Sequence, residues 1–251
     1  MILVRVFSTE LLKLRRTLAF WMVLIAPLLV LLLNLLMFHQ RAAYFAKSGK
    51  PLWDSLQRNS FVVWAILMLP MYIALQSSLL AAIEHAEDRW RNLLALPVPR
   101  WALYTVKLAI PCAMVFVSSV VLSFGALASG LMLAWLKPEL LFPAPLPWGQ
   151  AWHNTLFTLG SALFIIAIQQ WVSLRFPAFA ASAGFGICGT VVGFVLINSQ
   201  TFGPWWPWCL PAQLLTANPG AATHALWYSA AGAAVAAVAG GIEFCRRDVH
   251  G

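Results

Sequence analysis

The chain has 251 residues, of which 61% are hydrophobic and only 10% are charged, and its mean hydropathy is +0.80. A soluble domain averages about 25% charged residues, so this composition excludes a soluble globular protein and indicates an integral membrane protein. The formal net charge is +8, but the basic residues flank apolar stretches and form no single patch, which argues against a nucleic-acid-binding surface.

The N-terminal residues 1–16 combine apolar and basic side chains. This pattern predicts an interfacial amphipathic helix that lies on an anionic membrane leaflet. The same residues are also explained as a positive flank that only orients the first transmembrane span. The polar and charged residues that define the predicted interfacial helix are Glu10, Lys13, Arg15 and Arg16.

Six apolar stretches follow, and each is close to or longer than the roughly 20 residues that a helix needs to cross a bilayer. None of them, as bounded here, contains Asp, Glu, Lys or Arg. The predicted fold class is therefore an all-α polytopic membrane protein, with one transmembrane domain over 1–251. The predicted spans lie at about 17–38, 61–83, 108–136, 155–174, 178–198 and 225–242.

Lysine and arginine residues are unevenly divided between the segments that join these spans. If the N-terminus lies inside, the inner segments hold 11 of the 16 Lys and Arg residues. Cytoplasmic loops carry an excess of these residues, so both termini are predicted to be cytoplasmic. On the outer side, the polar stretch 40–60 is predicted to be a linker between the first two spans.

The longest charged interruption, 84–99, lies on the predicted cytoplasmic side between the second and third spans. Placed on a helix, its apolar residues recur every three or four positions and share one face. Pro97 and Pro99 end this helix, because proline lacks an N–H and restricts the residue before it. A short amphipathic helix here is either a passive connector on the bilayer or a contact that inserts apolar side chains into a partner protein.

The outer stretch that we name the tryptophan segment, Asn198–Thr223, is apolar, aromatic and interrupted by prolines. Irregular backbone at membrane depth survives only where protein or a water-filled cavity covers it, so we predict re-entrant or interfacial broken helices. The segment is either an aromatic anchor at the interface or a gate over the exit of a pathway. The candidate gate residues are Trp205, Trp206, Pro207, Trp208 and Pro211.

Uncharged side chains supply the polarity within the predicted spans. They either form hydrogen bonds between helices, each contributing about 0.6–2 kcal/mol, or provide a weakly polar lining for an amphipathic substrate. A separate small-residue motif, Gly189-x-x-x-Gly193, permits close helix packing and is weak evidence for dimerisation. The candidate lining residues are Asn34, Gln76, Ser118, Ser119, Gln169 and Gln170.

Sequence motifs of catalysis and metal binding are missing. The four cysteines show no metal-ligand spacing, and the chain contains neither a phosphate-binding loop nor the HExxH or GxSxG patterns of hydrolases. We therefore predict no catalytic residue and no metal site. The competing hypothesis is a polytopic membrane enzyme or scaffold that has no ATPase partner. It would use Ser182 as nucleophile and His224 as base, and these two side chains would have to meet in one cavity.

Four stretches, in their order along the chain, resemble the ABC-2-type permeases, which are the membrane subunits of ABC transporters. The stretch beginning at Glu84 carries the fairly specific pattern E-x-x-x-x-x-W-(K/R)-x-L-L-x-L-P. The others are ELLKLRR at 10–16, QWVSLRF at 170–176 and PWCLP at 207–211. The resemblance covers essentially the whole chain and is strongest to the branch tied to lantibiotic and bacitracin self-immunity.

In that family, the helix after the second span is a coupling helix that seats in a groove of a separate ATPase subunit. The resemblance implies the same role for 84–99, with Trp90 as the aromatic anchor. It also implies that the N-terminal helix contacts the same ATPase and that the tryptophan segment closes the outer end of the pathway. The implied coupling residues are Glu84, Glu87, Trp90, Arg91, Leu93, Leu94, Leu96 and Pro97.

The resemblance therefore implies a non-catalytic permease subunit of an ABC exporter in a bacterial plasma (inner) membrane. Its substrate would be amphipathic or peptide- or antibiotic-like, and it would move out of the cytoplasm or the membrane. No cofactor is expected on this chain, because ATP and Mg²⁺ would bind to the partner ATPase. The expected partners are that ABC ATPase, a second permease chain (identical or unlike) and the lipid bilayer, but no nucleic acid.

Overall fold

The computed structural model describes residues 2–14, 17–47, 51–85, 99–138, 140, 142, 145–215 and 219–246. Across this part of the chain the secondary structure is helical and contains no strand, and six helical stretches are long and apolar enough to cross a membrane. The predicted all-α polytopic fold is thus confirmed. The α-helices are α1 Ile2–Leu14, α2 Leu18–Gln40, α3 Ala42–Lys47, α4 Leu52–Val63, α5 Leu69–His85, α6 Arg100–Leu136, α7 Trp148–Arg175, α8 Phe179–Leu196 and α9 Pro219–Arg246.

The stretch 40–60 is helical over most of its length, so the prediction of a linker is wrong. Helix α4 begins at Leu52 and continues into the second span. Its buried face includes Leu56, Ser60 and Phe61, whereas Asp54 and Arg58 lie on its exposed face. The polar residues that suggested a linker are therefore the exposed side of an amphipathic helix.

A π-helical segment, Trp64–Met68, joins α4 to α5. Pro70 follows it, and a proline within a helix lacks an N–H and conflicts with the carbonyl four residues earlier, here that of Ile66. A locally wider turn fits this position, since π-helical turns occur as single insertions within α-helices. The side chain of Trp64 in this turn is completely buried.

Helix α7 lies at the centre of the bundle. It packs against α5, α6, α8 and α9 and against a helical part of the tryptophan segment. Within its most apolar window, 56% of the residues are buried, compared with 28% for α2 and 22% for α9. The bundle therefore surrounds α7, while α2 and α9 lie at its periphery and expose large apolar side chains.

The two sides of the membrane follow from the order of the helices. We call the side on which α1 packs against the start of α6 the N-terminal side, and the opposite side the far side. Because successive spans alternate in direction, α5, α7 and α9 end on the N-terminal side. The start of α4 and the tryptophan segment lie on the far side.

Candidate transport and partner-contact sites

Most of the predicted coupling helix falls in 86–98, outside the residues that the structure describes. The flanking helices are described: α5 ends at His85 and includes Glu84, and α6 begins at Arg100 directly after Pro99. Because α5 ends and α6 begins on the N-terminal side, both ends of the stretch 84–99 lie on that side. The predicted coupling residues outside the described part are Glu87, Trp90, Arg91, Leu93, Leu94, Leu96 and Pro97.

Helix α1 is attached to α6 by a buried ion pair. Val6, Glu10 and Leu14 recur every four residues and form the face of α1 that is buried. The Lys107 Nζ lies 3.7 Å from the Glu10 Oε2, and the two side chains are only 6% and 11% exposed. Opposite charges interact more strongly here than at an exposed surface, because the surroundings are less polarisable than water.

The other predicted residues of the interfacial helix are less fully described. Lys13 lies in the last turn of α1, whereas Arg15 and Arg16 lie outside the described residues. Lys107 was not among the predicted site residues, because it precedes the apolar stretch by one position. A basic residue directly at the edge of a span is the sequence signal that identifies it.

The N-terminal side also has a half-exposed polar cluster that sequence reasoning missed. The Arg175 Nε lies 2.8 Å from the Glu243 Oε1, and the Trp171 Nε1 donates a hydrogen bond of 2.8 Å to the Glu243 Oε2. These contacts join the last turns of α7 and α9. Arg175 and Glu243 are both at the ends of predicted spans, but nothing in their separation along the chain indicates that they pair.

The tryptophan segment forms two 3₁₀ helices, Gly203–Trp205 and Pro207–Leu215. The second packs against α7, α8, α9 and the π-helical segment. Pro207, Trp208 and Pro211 are buried, so they belong to the interior of the bundle and not to its aqueous surface. The segment is thus covered by protein along this stretch, as irregular backbone at membrane depth requires.

The two glycines of the Gly189-x-x-x-Gly193 motif receive the tryptophan segment. The Trp206 Nε1 donates a hydrogen bond of 3.0 Å to the Gly189 carbonyl oxygen, and the Cys209 Sγ lies 3.2 Å from the Gly193 carbonyl oxygen. A Cβ atom at position 189 would lie 2.5 Å from the indole ring of Trp208. The motif that suggested dimerisation is therefore used for packing within the chain.

One tryptophan of the segment faces outward. Trp205 is 58% exposed, and its ring meets those of His224 and Tyr228 edge-to-face at centroid distances of 4.9 and 5.4 Å. Such geometry is favourable for aromatic pairs. The five predicted gate residues are therefore brought into one far-side region, where Trp205 is the most exposed of them.

Several of the candidate lining residues make hydrogen bonds between helices. The Asn34 Nδ2 donates to the Ser60 Oγ at 2.6 Å, and the Ser118 hydroxyl donates to the Val23 carbonyl oxygen at 2.9 Å. The Gln76 Nε2 donates to the Pro111 carbonyl oxygen at 3.3 Å. These contacts support the interpretation that such residues fasten neighbouring helices together.

The side-chain oxygens of the three candidate glutamines, in contrast, have no hydrogen-bond partner among the described residues. The Oε1 atoms of Gln76, Gln169 and Gln170 are buried and accept no hydrogen bond from the described residues, and the Ser119 hydroxyl is likewise unsatisfied there. An unsatisfied buried polar atom costs about 1–3 kcal/mol. These groups lie on α5, α6 and α7, and their role as a pathway lining stays a prediction.

Gln169 lies where α5, α7 and α8 approach one another closely. Its Nε2 donates a hydrogen bond of 2.7 Å to the Ser182 carbonyl oxygen. A Cβ atom at Gly186 would lie 2.3 Å from the Ala74 Cβ and 2.7 Å from the Gln169 Oε1. The glycine is therefore needed for this approach, because the Ala74 Cβ is fixed to the backbone and cannot rotate away.

The structure does not bring Ser182 and His224 together. Ser182 lies in the first turn of α8 on the N-terminal side, where its hydroxyl contacts the Ser78 Oγ at 2.8 Å. His224 lies near the start of α9 on the far side, beside Trp205. The remaining length of α8 alone corresponds to about 20 Å at 1.5 Å per residue. The nucleophile–base pair of the enzyme hypothesis is therefore absent among the described residues.

Comparison with known proteins identifies the family to which the chain belongs. A family model described as ABC-2 family transporter protein matches residues 6–197, from α1 to the end of α8. The match ends before the tryptophan segment and α9. Searches of curated proteins and of solved structures each returned no match. Since the family model covers well over half of a chain with six membrane-spanning helices, this chain belongs to the ABC-2 family of transporter permeases.

Proposed function

We propose that this permease exports an amphipathic, peptide- or antibiotic-like substrate, and that a separate ABC ATPase supplies the energy. Membership of the ABC-2 family supports a transport subunit and, in general, an ATPase partner. The observation that carries the proposal is the buried Glu10–Lys107 pair, which attaches α1 to the N-terminal end of α6. This pair connects α1, on the side where the ATPase is proposed to bind, directly to a membrane-spanning helix.

The proposed coupling works through helices that begin or end on that side. ATP and Mg²⁺ bind to the partner ATPase, and closure of the ATPase pair displaces the coupling helix within 84–99. This stretch is covalently continuous with α5 and α6, and the ion pair carries α1 along with α6. The permease then moves between two states, one open to each side, which is how a distant ligand biases a two-state element.

The central helices and the tryptophan segment support the proposed class of substrate. The unsatisfied oxygens of Gln76 and Gln169 are suited to accept hydrogen bonds from the amide N–H groups of a peptide. The apolar cluster of the same bundle, which includes Ile73, Ile165 and Trp208, suits the apolar part of the same molecule. Export through the far side requires that the tryptophan segment move away from α8, which gives it the role of a gate.

A second permease chain, identical or unlike, is proposed to complete the pathway. Helix α9 is the least buried span and exposes Val235, Val238 and Ile242, and such a face suits either lipid or a second chain. The excess of basic residues on the N-terminal side favours a cytoplasmic location of both termini. The proposed location is the plasma membrane of a bacterium.

Co-purification with the candidate ATPase tests the partner. The permease is extracted in detergent as wild type, as Trp90→Ala with Leu93→Asp, and as the control Trp135→Ala, which removes a far-side tryptophan that is 82% exposed. We expect the ATPase to accompany the wild type and the control and to be lost from the double variant at equal permease yield. Equal recovery with all three would contradict a coupling helix at 84–99.

Transport itself is tested in proteoliposomes that contain the permease and its ATPase with the nucleotide sites outside. A fluorescent cationic amphipathic peptide is added outside, and its uptake into the lumen corresponds to export from a cell. We expect uptake with ATP and none with a non-hydrolysable analogue. Loss of a peptide already trapped in the lumen, driven by the same ATP, would indicate import and overturn the proposed direction.

A further inference from the structure

Two adjoining cavities lie on the far side, the smaller one where α4 meets the start of α7 and the larger one between α3 and α4. Their volumes are about 330 Å³ and 560 Å³, and both are lined by Asp54 and Arg58. Small-molecule sites in proteins occupy about 300–1,000 Å³. The size and the shared charged lining therefore suit a small polar ligand, and neither residue was singled out by the sequence analysis.

Asp54 and Arg58 are four residues apart on α4 and thus share one face of the helix. The Asp54 carboxylate makes no ion pair or hydrogen bond to any residue that the structure describes. The Arg58 guanidinium donates one hydrogen bond of 3.1 Å to the Leu215 carbonyl oxygen. Since a guanidinium has five N–H groups, most of its donors stay available to the cavities.

Two buried amides add polar groups to the smaller cavity. Gln57 is 1% exposed and Asn154 is 7% exposed. The Gln57 Nε2 donates to the Ser123 carbonyl oxygen, and its Oε1 accepts from the Asn154 Nδ2 at 3.4 Å. Within the described residues, no partner accounts for the Asn154 Oδ1. The hydrogen bond from the Asn154 Nδ2 fixes the orientation of the Asn154 carboxamide, and Asn154 lines the smaller cavity.

We propose that this site binds a zwitterion in which a primary ammonium and a phosphate or carboxylate lie a few ångströms apart. The aminoethyl phosphate headgroup of a membrane lipid has this chemistry, and so does its water-soluble form. The Asp54 carboxylate accepts from the ammonium, and the free donors of Arg58 bind the anion, both as charge-assisted hydrogen bonds. A ligand with only one of the two charges satisfies one residue and leaves the other unpaired.

The site is connected to the tryptophan segment. Leu215, whose carbonyl oxygen accepts from Arg58, is the last residue of the second 3₁₀ helix. An anion bound to Arg58 therefore lies next to the contact that fastens this segment to α4. The inference does not depend on the export proposal, because binding is measured on the permease alone, without ATPase, nucleotide or substrate.

The test measures the affinity of purified permease in maltoside detergent for four probes by isothermal titration. Dihexanoyl phosphatidylethanolamine carries both groups, and dihexanoyl phosphatidylcholine replaces the ammonium with a quaternary nitrogen that donates no hydrogen bond. Dihexanoyl phosphatidylglycerol has only the anion. O-phosphoethanolamine is the water-soluble zwitterion. We expect the ethanolamine lipid to bind about tenfold or more tightly than the choline and glycerol lipids, because these lose one charge-assisted contact.

Variants assign the effect to the two residues. Asp54→Asn and Arg58→Gln are each expected to weaken binding of the ethanolamine lipid by about tenfold. Both residues are exposed, and an unchanged thermal unfolding midpoint verifies the fold. Lys137→Gln, which removes a far-side cation that lines neither cavity, is the matched control and should bind as the wild type.

The outcomes are distinct. Binding of both the ethanolamine lipid and O-phosphoethanolamine supports a site for zwitterions from water as well as from the membrane. Binding of the lipid alone supports a headgroup site. Equal affinity for all three lipids, or full affinity in Asp54→Asn, would overturn the proposal. If the ethanolamine lipid binds but the ATPase does not co-purify, the zwitterion site is supported and the export proposal is overturned. If the ATPase co-purifies but the lipid does not bind, the export proposal is supported and the zwitterion site is overturned.

Discussion

The ammonium of Lys107 and the carboxylate of Glu10 face each other at 3.7 Å, in surroundings where both side chains are almost completely buried. On the same side, Arg175 and Glu243 are closer, at 2.8 Å, but their side chains are 54% and 40% exposed. Exposed pairs are screened by water and contribute little, whereas loss of one partner of a buried pair is costly. Burial, and not distance, therefore determines which of these two ion pairs contributes more to the free energy of unfolding.

Lys107→Met is expected to lower the free energy of unfolding by about 3 kcal/mol, because it removes the Lys107 cation beside the buried Glu10 carboxylate. The thermal unfolding midpoint in detergent, followed by tryptophan fluorescence, measures the effect. The exchange of Glu10→Lys with Lys107→Glu keeps both charges and should recover a large part of the loss. A single variant as stable as the wild type would show that the pair does not attach α1 to α6.

Arg175→Gln is expected to lower the free energy of unfolding by less than about 1 kcal/mol, because this ion pair is half exposed. The substitution leaves the hydrogen bond from Trp171 to Glu243 in place. The same unfolding measurement at low and at high salt checks the reason, since salt should reduce the small difference further. A loss equal to that of Lys107→Met would contradict the ranking by burial.

Gly189→Ala is expected to destabilise the protein, because the new Cβ would lie 2.5 Å from the Trp208 indole. That ring is also packed edge-to-face against Phe185, which restricts its retreat. The matched control is Gly184→Ala on the same helix, where nothing lies within 4 Å of the new Cβ. The control should unfold at or above the wild-type midpoint, because alanine favours a helix. Equal midpoints for the two variants would refute the contact.

Cys209 provides a reporter for movement of the tryptophan segment. Burial raises the pKa of its thiol to about 11, so at pH 7 only about one thiol in 10⁴ is ionised. In a variant whose only cysteine is Cys209, alkylation by a maleimide should be about a hundredfold slower than for a free cysteine. Adding Gly189→Ala should accelerate it, and Gly184→Ala should not. Fast labelling of the parent would show that Cys209 is not held buried against Gly193 of α8.

Gln169→Leu separates a pathway role from a packing role. The change removes one hydrogen bond to Ser182 but also an unsatisfied buried oxygen, so the free energy of unfolding should change by only about 1 kcal/mol. If Gln169 contacts substrate, peptide-stimulated ATPase activity of the reconstituted complex should fall. Thr190→Val, which removes only a bond to Gly186 within α8, is the control. Unchanged stimulation would assign Gln169 to packing alone.

Hydropathy predicted the spans well where sequence breaks coincide with helix ends. The fifth span was placed at 178–198 and α8 occupies Phe179–Leu196, because Pro177 and the polar residues after Ile197 interrupt the apolar run. Hydropathy did not predict α4, because the polar face of this helix lowers the mean hydropathy of the window although the opposite face is buried. A window average does not distinguish an amphipathic helix from a polar linker, whereas the three- and four-residue spacing of the apolar residues Leu52, Trp53 and Leu56 does.

Contacts between distant residues were not predictable in the same way. The small-residue motif indicated that something approaches α8 closely, and a close approach is present. Its partner is the tryptophan segment of the same chain, because that segment folds back over the glycines. The pairing of Lys107 with Glu10 likewise depends on how α1 folds against α6. Local patterns identify surfaces that pack, but tertiary structure decides what packs on them.

The π-helical turn at Trp64–Met68 makes the length of this stretch more important than its composition. A helix advances by about 100° per residue, so one additional α-helical residue inserted between α4 and α5 would turn α4 by that angle relative to α5. Gln57 and Ser60 would then leave their partners on α6 and α2, and Asp54 and Arg58 would no longer face the far-side cavities. Substitution of Leu67, which is 39% exposed, is therefore expected to be tolerated better than such an insertion.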